Sequence, residues 1–318
     1  MMRAAIPLKL QTSYSVVFSH DGTRLSTLAR DVWAWDLSRR KKIYRAHPFP
    51  HPFHADFSPS GERLAVKSTS GRIAILSGET GELVSDFRNC ADGAGTNVLF
   101  SMCGQYLIDA TWRGRLSVRR ADSGAREFVM DFPAETISAV HRCAEGERWI
   151  VAHGRTPATD HEPTPPSYFS LWQWPFRRGH YKSLEFGFPF IADSSVAPDG
   201  QFIAVVHGAP ANSLSVIDLT SGACVGSVET QAGGSGGALA WSPDGRQIAS
   251  VQDGVVRLYN FPGLALLNEV ILEYPSDVAF SPKDSSLAIG SWTMGWLLPP
   301  ASLTTTSKIS LKNGARTV

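Results

Sequence analysis

A short phrase recurs seven times along the 318 residues, and it limits the fold more strongly than any other feature. Each copy contains an apolar or aromatic residue, a small polar turn, and then a short run suited to a β-strand. The copies begin near residues 18, 57, 100, 140, 196, 241 and 280. A period of about 40–45 residues with four short strands per unit is typical of a propeller blade. The repeat therefore predicts seven blades.

The recurring turn has a physical explanation. In Trp241-Ser-Pro-Asp-Gly245, proline presets the first corner, aspartate bonds to the backbone, and glycine takes the positive φ. Further short apolar runs separated by tight turns follow each copy, and hardly any segment has the period of a long helix. We therefore predict an all-β protein, a seven-bladed β-propeller of four-stranded antiparallel blades. Since no linker divides the chain, residues 1–318 are expected to form one domain.

The repeats resemble those of the WD40 family over essentially the whole chain, although the pattern is degenerate. The Trp-Asp dipeptide of that family is intact only at Trp35-Asp36, and Ala46-His47 lies about where its Gly-His pair would be. TolB-like and lactonase-like propellers share the same Ser-Pro-Asp-Gly turn. Without the Gly-His pair, the family's buried Asp–His–Ser–Trp tetrad is not expected, and apolar packing is expected to hold the blades together.

A propeller needs a terminal strand to join its last blade to its first, because an open ring leaves bare sheet edges. Residues 3–10, with alternating Ile6, Leu8 and Leu10, are expected to be the outer strand of blade seven. The segment 306–311 is the alternative for the same place. The proline-rich stretch 153–167 is expected to be a loop insertion between the second and third strands of blade four.

Composition excludes several classes of protein. The 30 basic and 29 acidic side chains leave a formal charge of +1, which does not favour direct binding to nucleic acid. The absence of an apolar run of about 18 residues argues against insertion into a membrane. The four scattered cysteines suit a reducing cytoplasm. Three histidines at 47, 51 and 54 have spacing that a metal site could use, but a stiff loop explains them better, and we expect no metal or cofactor.

The candidate partner-binding residues lie on one predicted face of the ring. Connections from an outer strand to the next inner strand emerge on the same face as those from second to third strands, and we call it the loop face. Aromatic and arginine side chains dominate the energetics of protein interfaces. The candidates selected on this basis are His51, Phe53, Trp112, Arg113, Arg155, His161, Phe190, Tyr274 and Trp292.

These features favour a non-catalytic scaffold for protein–protein interaction, a subunit of a larger complex that binds other proteins through its loop face. Hydrolase, phosphate-loop and zinc-protease motifs are missing from the sequence, so no enzyme is expected. Two alternatives remain open: a lactonase-like propeller hydrolase, and a binder of small ligands or glycans in the central channel. Near-neutral charge suggests recognition by loop shape and aromatic contact more than by a broad electrostatic field.

Overall fold

The repeated turn joins the inner strand of a blade to its second strand. In the computed structural model, Gly245 has a φ of +69°, the left-handed conformation that glycine adopts without strain. Ser242 Oγ donates a hydrogen bond of 2.6 Å to Asp244 Oδ1, and the N–H of Arg246 donates to the same oxygen at 3.1 Å. The structure describes residues 6–87, 95–143, 147–155, 165–188, 190–208, 213–230, 237–252, 254–303 and 309–311.

The strands form seven sheets, each antiparallel through its first four strands. In chain order they are Leu8–Lys9; Ser15–Phe18, Arg24–Leu28, Val32–Asp36 and Lys41–Ala46 (blade one); Pro52–Phe57, Arg63–Ser68, Ile73–Ser77 and Leu83–Phe87 (blade two); Gly95–Phe100, Tyr106–Thr111, Arg115–Arg120 and Arg126–Asp131 (blade three); Glu135–Arg142, Arg148–Arg155, Tyr168–Gln173 and Tyr181–Glu185 (blade four); Phe190–Val196, Phe202–Gly208, Ser213–Asp218 and Cys224–Glu229 (blade five); Ala238–Trp241, Gln247–Gln252, Val255–Asn260 and Leu266–Leu272 (blade six); Pro275–Phe280, Leu287–Ser291 and Trp296–Leu298 (blade seven); and Ile309–Leu311. One 3-10 helix, Pro300–Ser302, follows blade seven.

The seven-bladed, all-β architecture predicted from the repeat is confirmed. A terminal strand closes the ring: Leu8–Lys9 is the outer strand of blade seven, with Leu8 opposite Leu297 and Lys9 opposite Trp296. The strand Ile309–Leu311 lies elsewhere, parallel to the outer strand of blade six. No helix in the described ranges is long and apolar enough to cross a membrane.

Blade four departs from the repeat at its aromatic position. The N–H of Cys143 donates to the carbonyl of Arg148 at 2.9 Å, just as the N–H of Ser58 donates to Arg63 in blade two. Arg142 therefore occupies the place that Phe57 holds in blade two, two residues after Val140. In the same blade, the second strand continues to Arg155, so the proline-rich connection begins later than residue 153. Its residues 156–164 lie outside the described part of the chain.

Neighbouring blades are joined by apolar clusters and also by a repeated polar contact. Phe57 of blade two, for example, packs in one cluster with Leu28 of blade one. In addition, side-chain oxygens of the inner strands accept the backbone N–H of the next inner strand. These bonds join Asp56 to Phe100 (2.7 Å), Asn97 to Val140 (2.9 Å), Asp193 to Leu239 (2.8 Å) and Asp277 to Val16 (2.8 Å). The seams therefore combine apolar packing with satisfied polar groups.

Candidate protein-interaction face

Three aromatic rings from three consecutive units of the ring touch on the loop face. The ring of Tyr14, in the connection that enters blade one, lies 4.9 Å from Trp292 of blade seven and 6.1 Å from Phe53 of blade two, measured between centroids. Tilted ring pairs at such distances contribute about 0.5–1.5 kcal/mol beyond the burial of their area. We call Tyr14, Phe53 and Trp292 the aromatic cluster.

The hydroxyl of Tyr14 fixes the position of the cluster. Its oxygen lies 2.6 Å from the carbonyl oxygen of Ala29 and 2.5 Å from that of Pro52, so carbonyls of blades one and two share its single proton. Burial raises the pKa of Tyr14 to about 12, and the hydroxyl therefore keeps its donor proton at neutral pH. Tyr14 therefore connects blades one and two through its hydroxyl and contacts blade seven through its ring.

Tyr274 and His51 flank the cluster in a strained backbone conformation. Tyr274 has a φ of +46° and His51 a φ of +55°, values that cost residues with a Cβ about 1–2 kcal/mol. Each carbonyl accepts a hydrogen bond from the turn of its own blade: the Trp292 N–H donates to Tyr274 at 3.0 Å, and the Thr69 N–H to His51 at 3.1 Å. Strain of this kind at an exposed aromatic residue suggests a role in function.

The outer members of this surface are open to solvent. Trp292 is 59% exposed and Tyr274 is 69% exposed, whereas Phe53 and Tyr14 are partly buried. Large exposed aromatic side chains on a fixed base are typical anchors at protein interfaces.

A polar groove lies beside the cluster, between blades seven and one. Asp31 is held in it by Arg45, whose Nη2 donates to Oδ2 at 2.7 Å, and the His47 Nδ1 lies 3.2 Å from Oδ1. The Trp33 ring has Lys42 Nζ at 4.3 Å and Arg45 Cζ at 5.3 Å from its centroid. The groove is lined by Gln11, Thr12, Ala29, Arg30, Asp31, Trp33, Arg45 and Met294.

The other candidates in the described part of the chain lie away from the aromatic cluster. Trp112, 45% exposed, and Arg113 occupy the turn of blade three, and Phe190, 57% exposed, begins the inner strand of blade five. Within the described ranges, no ring contact connects Trp112 or Phe190 to the cluster. His161 lies outside the described residues. Phe53 and Trp292 therefore contact Tyr14, with His51 two residues before Phe53 and Tyr274 bonded through its carbonyl to Trp292. The remaining described candidates lie on blades three, four and five: Trp112, Arg113, Arg155 and Phe190.

Arg155 belongs to a different contact network, on blade four. Its Nη2 donates to Glu185 at 2.9 Å, its guanidinium lies over the Tyr168 ring at 4.5 Å, and Glu135 is 3.9 Å away. These partners hold the Arg155 side chain in place, although it remains partly accessible.

Beneath Arg155, four side chains form a hydrogen-bonded chain that was not expected from the sequence. The buried His153 has Nδ1 3.1 Å from Glu135 Oε2 and Nε2 2.7 Å from Ser170 Oγ, and Trp172 Nε1 donates to the same hydroxyl at 2.8 Å. Burial lowers the pKa of His153. Burial alone would raise the pKa of Glu135, but hydrogen bonds from His153 and Tyr168 lower it on balance. The chain connects three strands of blade four.

Sequence reasoning missed Tyr14, the residue that connects the cluster. The available signal was positional: Tyr14 lies five residues before Ser19, and Phe53 lies five residues before Ser58, the serines that open the repeated turn. Two aromatic residues at the same place in adjacent repeats predict a contact across the seam. In the described part of the chain, no group of three or more His, Cys, Asp or Glu residues is arranged to hold a metal ion.

Comparison with known proteins agrees with the geometry. The WD40 family model, described as WD domain, G-beta repeat, matches residues 230–260. No curated protein matches the chain. A chain of hydrazine synthase from Kuenenia stuttgartiensis is similar in structure, with a TM-score of 0.74 and 13% identity over 92% of this chain and 95% of that one. The β-propeller domain of Cps50 (Swd1) from Myceliophteria thermophila has a TM-score of 0.75 and 12% identity over 92% and 99%.

Identities of 12–13% show a common fold and nothing finer. The seven four-stranded blades, the repeated Ser-Pro-Asp-Gly turn and the family match in blade six lead to one conclusion. The chain is a seven-bladed β-propeller whose repeats are similar to degenerate WD40 repeats.

Proposed function

We propose that the protein is a non-catalytic scaffold, a subunit of a larger complex, and that it binds a partner protein through the loop face of blades seven, one and two. The observation that carries this proposal is the exposed ring of Trp292, which packs on Tyr14. The exposed Tyr274 lies next to it, because its carbonyl accepts the N–H of Trp292. The groove with Arg30, Arg45 and Asp31 would supply the polar rim that surrounds the apolar centre of an interface. A WD40-type propeller fits such a role in general, because a rigid ring presents many loops on one face.

The test begins with affinity purification of the full chain and identification of the co-purified proteins by mass spectrometry. The strongest candidate is then produced separately, and its Kd is measured against the wild-type chain and against Trp292→Ala and Tyr274→Ala. Anchor residues of this kind contribute about 2 kcal/mol or more, so each variant should weaken binding about thirtyfold.

Val84→Ser is the matched control. Val84 is 57% exposed but lies on the outer strand of blade two, away from the loop connections. It should bind the partner as the wild-type chain does. Unchanged affinity in both aromatic variants would show that this part of the loop face is not the docking surface.

We also propose a cytoplasmic location. Cys103 and Cys224 are exposed free thiols, an arrangement suited to a reducing compartment. Fractionation of cells that express a tagged full chain, followed by blotting, tests this directly. Recovery of the protein in the extracellular fraction would contradict it.

A further inference from the structure

Blade six carries a fifth strand. Ile309–Leu311 pairs in parallel with the outer strand Leu266–Leu272, and the register places Ile309 opposite Val270, Ser310 opposite Ile271 and Leu311 opposite Leu272. In the described ranges, the other six blades have four strands each. The additional strand therefore uses the outer edge of this blade alone.

The outer strand of blade six is also unusual in its burial. Asn268 is 4% exposed, Val270 is fully buried and Leu272 is 5% exposed. In the outer strands of blades one to five, Leu184 is the only buried residue. The sequence of this strand, Leu-Leu-Asn-Glu-Val-Ile-Leu, thus provides an apolar edge that needs a cover.

The cover comes from the segment that follows blade seven. Ile309 and Leu311 pack against the core cluster that contains Val270, Leu272 and Leu303. Asn268 Nδ2 lies 3.5 Å from the carbonyl oxygen of Leu303, just beyond the 3-10 helix. The apolar side chains of Ile309 and Leu311, together with the parallel pairing of the two backbones, therefore cover this edge.

We propose that the outer edge of blade six is a binding site for an extended peptide, that Ile309–Leu311 occupies it within the chain, and that a partner protein binds there by replacing this strand with one of its own. Strand addition of this kind obtains affinity from backbone hydrogen bonds and specificity from alternate side chains. The partner segment should have an apolar-x-apolar pattern, since its two apolar side chains must pack against the cluster that contains Val270, Leu272 and Leu303. This site is separate from the loop face, so its test does not depend on whether the aromatic cluster binds a partner.

The geometry explains why replacement is feasible. Among the described residues, the resident strand pairs with three residues of a seven-residue edge strand, and Leu266 at the other end is 50% exposed. A longer partner strand would pair further along the edge and cover Leu266. The resident strand has the advantage of being tethered, which corresponds to an effective concentration in the millimolar range. A partner strand with more contacts, or a change that weakens the resident strand, shifts the equilibrium towards binding of the partner.

The experiment uses the full chain with Ile309→Asp and Leu311→Asp, which removes the two apolar contacts. The probe is a fluorescent synthetic peptide with the wild-type sequence of residues 304–318, and binding is followed by fluorescence anisotropy. The double variant should bind the peptide at least tenfold more tightly than the wild-type chain, whose own strand competes. A peptide with both aspartates should not bind, and a peptide with Ile309→Val and Leu311→Val should bind nearly as well as wild type.

Ser310→Ala in the full chain is the matched control, because it keeps both apolar contacts, and it should behave like the wild-type chain. Hydrogen exchange supplies a second measurement: the amides of residues 270–272 that face the resident strand should lose protection in the double variant and regain it when peptide is added. If the double variant does not fold, Leu311→Ala is tested in the same way. A folded variant that binds no peptide, or that binds it no better than the wild-type chain, overturns the proposal.

Discussion

The indole ring of Trp292 lies against the phenol ring of Tyr14, with 4.9 Å between their centroids and 32° between their planes. Trp292 belongs to blade seven and Tyr14 leads into blade one, so the contact crosses the seam at which the ring closes. The Tyr14 hydroxyl in turn reaches carbonyls of blades one and two. The exposed indole therefore stands on a residue that cannot move without breaking contacts to two blades.

Tyr14→Phe should lower the free energy of unfolding by about 1 kcal/mol, since it removes the donor to the Ala29 and Pro52 carbonyls but keeps the ring. Urea denaturation measures this difference. Tyr274→Phe is the control: it removes the hydroxyl of a largely exposed side chain and should leave stability unchanged. Equal stability of Tyr14→Phe and the wild-type chain would mean that the hydroxyl does not fix the cluster.

Tyr274→Gly should stabilise the protein and weaken partner binding at the same time. Glycine adopts a φ of +46° without the clash of a Cβ, so a gain of about 0.5–1 kcal/mol in unfolding free energy is expected. Tyr274→Ala removes the same ring but keeps the Cβ, and it should not show this gain. Denaturation of both variants separates the backbone effect from loss of the ring. If alanine and glycine are equally stable, the left-handed conformation stores no strain.

The sequence predicted the blades well because turn chemistry is local. Proline, aspartate and glycine at fixed places determine a tight turn regardless of what packs around it, as Gly245 and Asp244 show. The repeat pattern requires an aromatic or apolar residue before the turn, so it predicts that the blade-four copy begins at Val140. Arg142 holds that place since it pairs with Asp56 of blade two and the carbonyl of Phe100. Such a contact depends on partners 86 and 42 residues away, which local patterns do not contain.

The candidate site was predicted only in part, for a related reason. Exposed aromatic residues next to turns can be selected from sequence, and Trp292 and Tyr274 are indeed exposed. The contacts of Trp292 and Phe53 with Tyr14 depend on how three blades meet. Similarly, Asn97, Asp193 and Asp277 each lie four residues before the first residue of the repeated turn, and each accepts a backbone N–H of the next blade. The sequence shows this spacing, but only the packing of neighbouring inner strands shows that these side chains form hydrogen bonds between blades.

Asp109→Ala should be strongly destabilising. The carboxylate of Asp109, buried between blades two and three, accepts from Lys67 Nζ and lies 3.3 Å from Arg119 Nε, and all three side chains are buried. Its removal leaves two buried cations without their counter-ion, which costs about 3–5 kcal/mol. Denaturant unfolding should show this loss.

Two variants test the cause of that loss. Lys67→Met leaves one cation with one carboxylate, so it should cost much less than Asp109→Ala. Asp131→Ala breaks the exposed pair with Arg115, and it should change stability by about 0–1 kcal/mol. If Asp109→Ala lowered the free energy of unfolding no more than Asp131→Ala does, groups other than Asp109 would have to stabilise the two buried cations.

Asp193→Asn should make the protein more stable at neutral pH and reduce the dependence of its stability on pH. Burial raises the pKa of Asp193 to about 7, with the nearby Asp277 charge contributing, whereas a free aspartate has a pKa of about 3.9. The folded state therefore binds a proton that the unfolded state releases between about pH 4 and pH 7. The stabilisation is full below pH 4 and is lost as the pH rises through 7.

Asparagine stays neutral across this range and keeps an oxygen that can accept the Leu239 N–H. Asn97 already has this role in blade three, where its Oδ1 accepts the Val140 N–H and its Nδ2 donates to the Val140 carbonyl. At pH 8 the gain for Asp193→Asn should be up to about 4 kcal/mol. The reverse variant, Asn97→Asp, places a new carboxyl at the equivalent seam and should steepen the fall in stability between pH 4 and pH 7. Urea midpoints at pH 4, 6 and 8 measure both effects, and parallel curves for the two variants and the wild-type chain would contradict a protonated carboxyl at this seam.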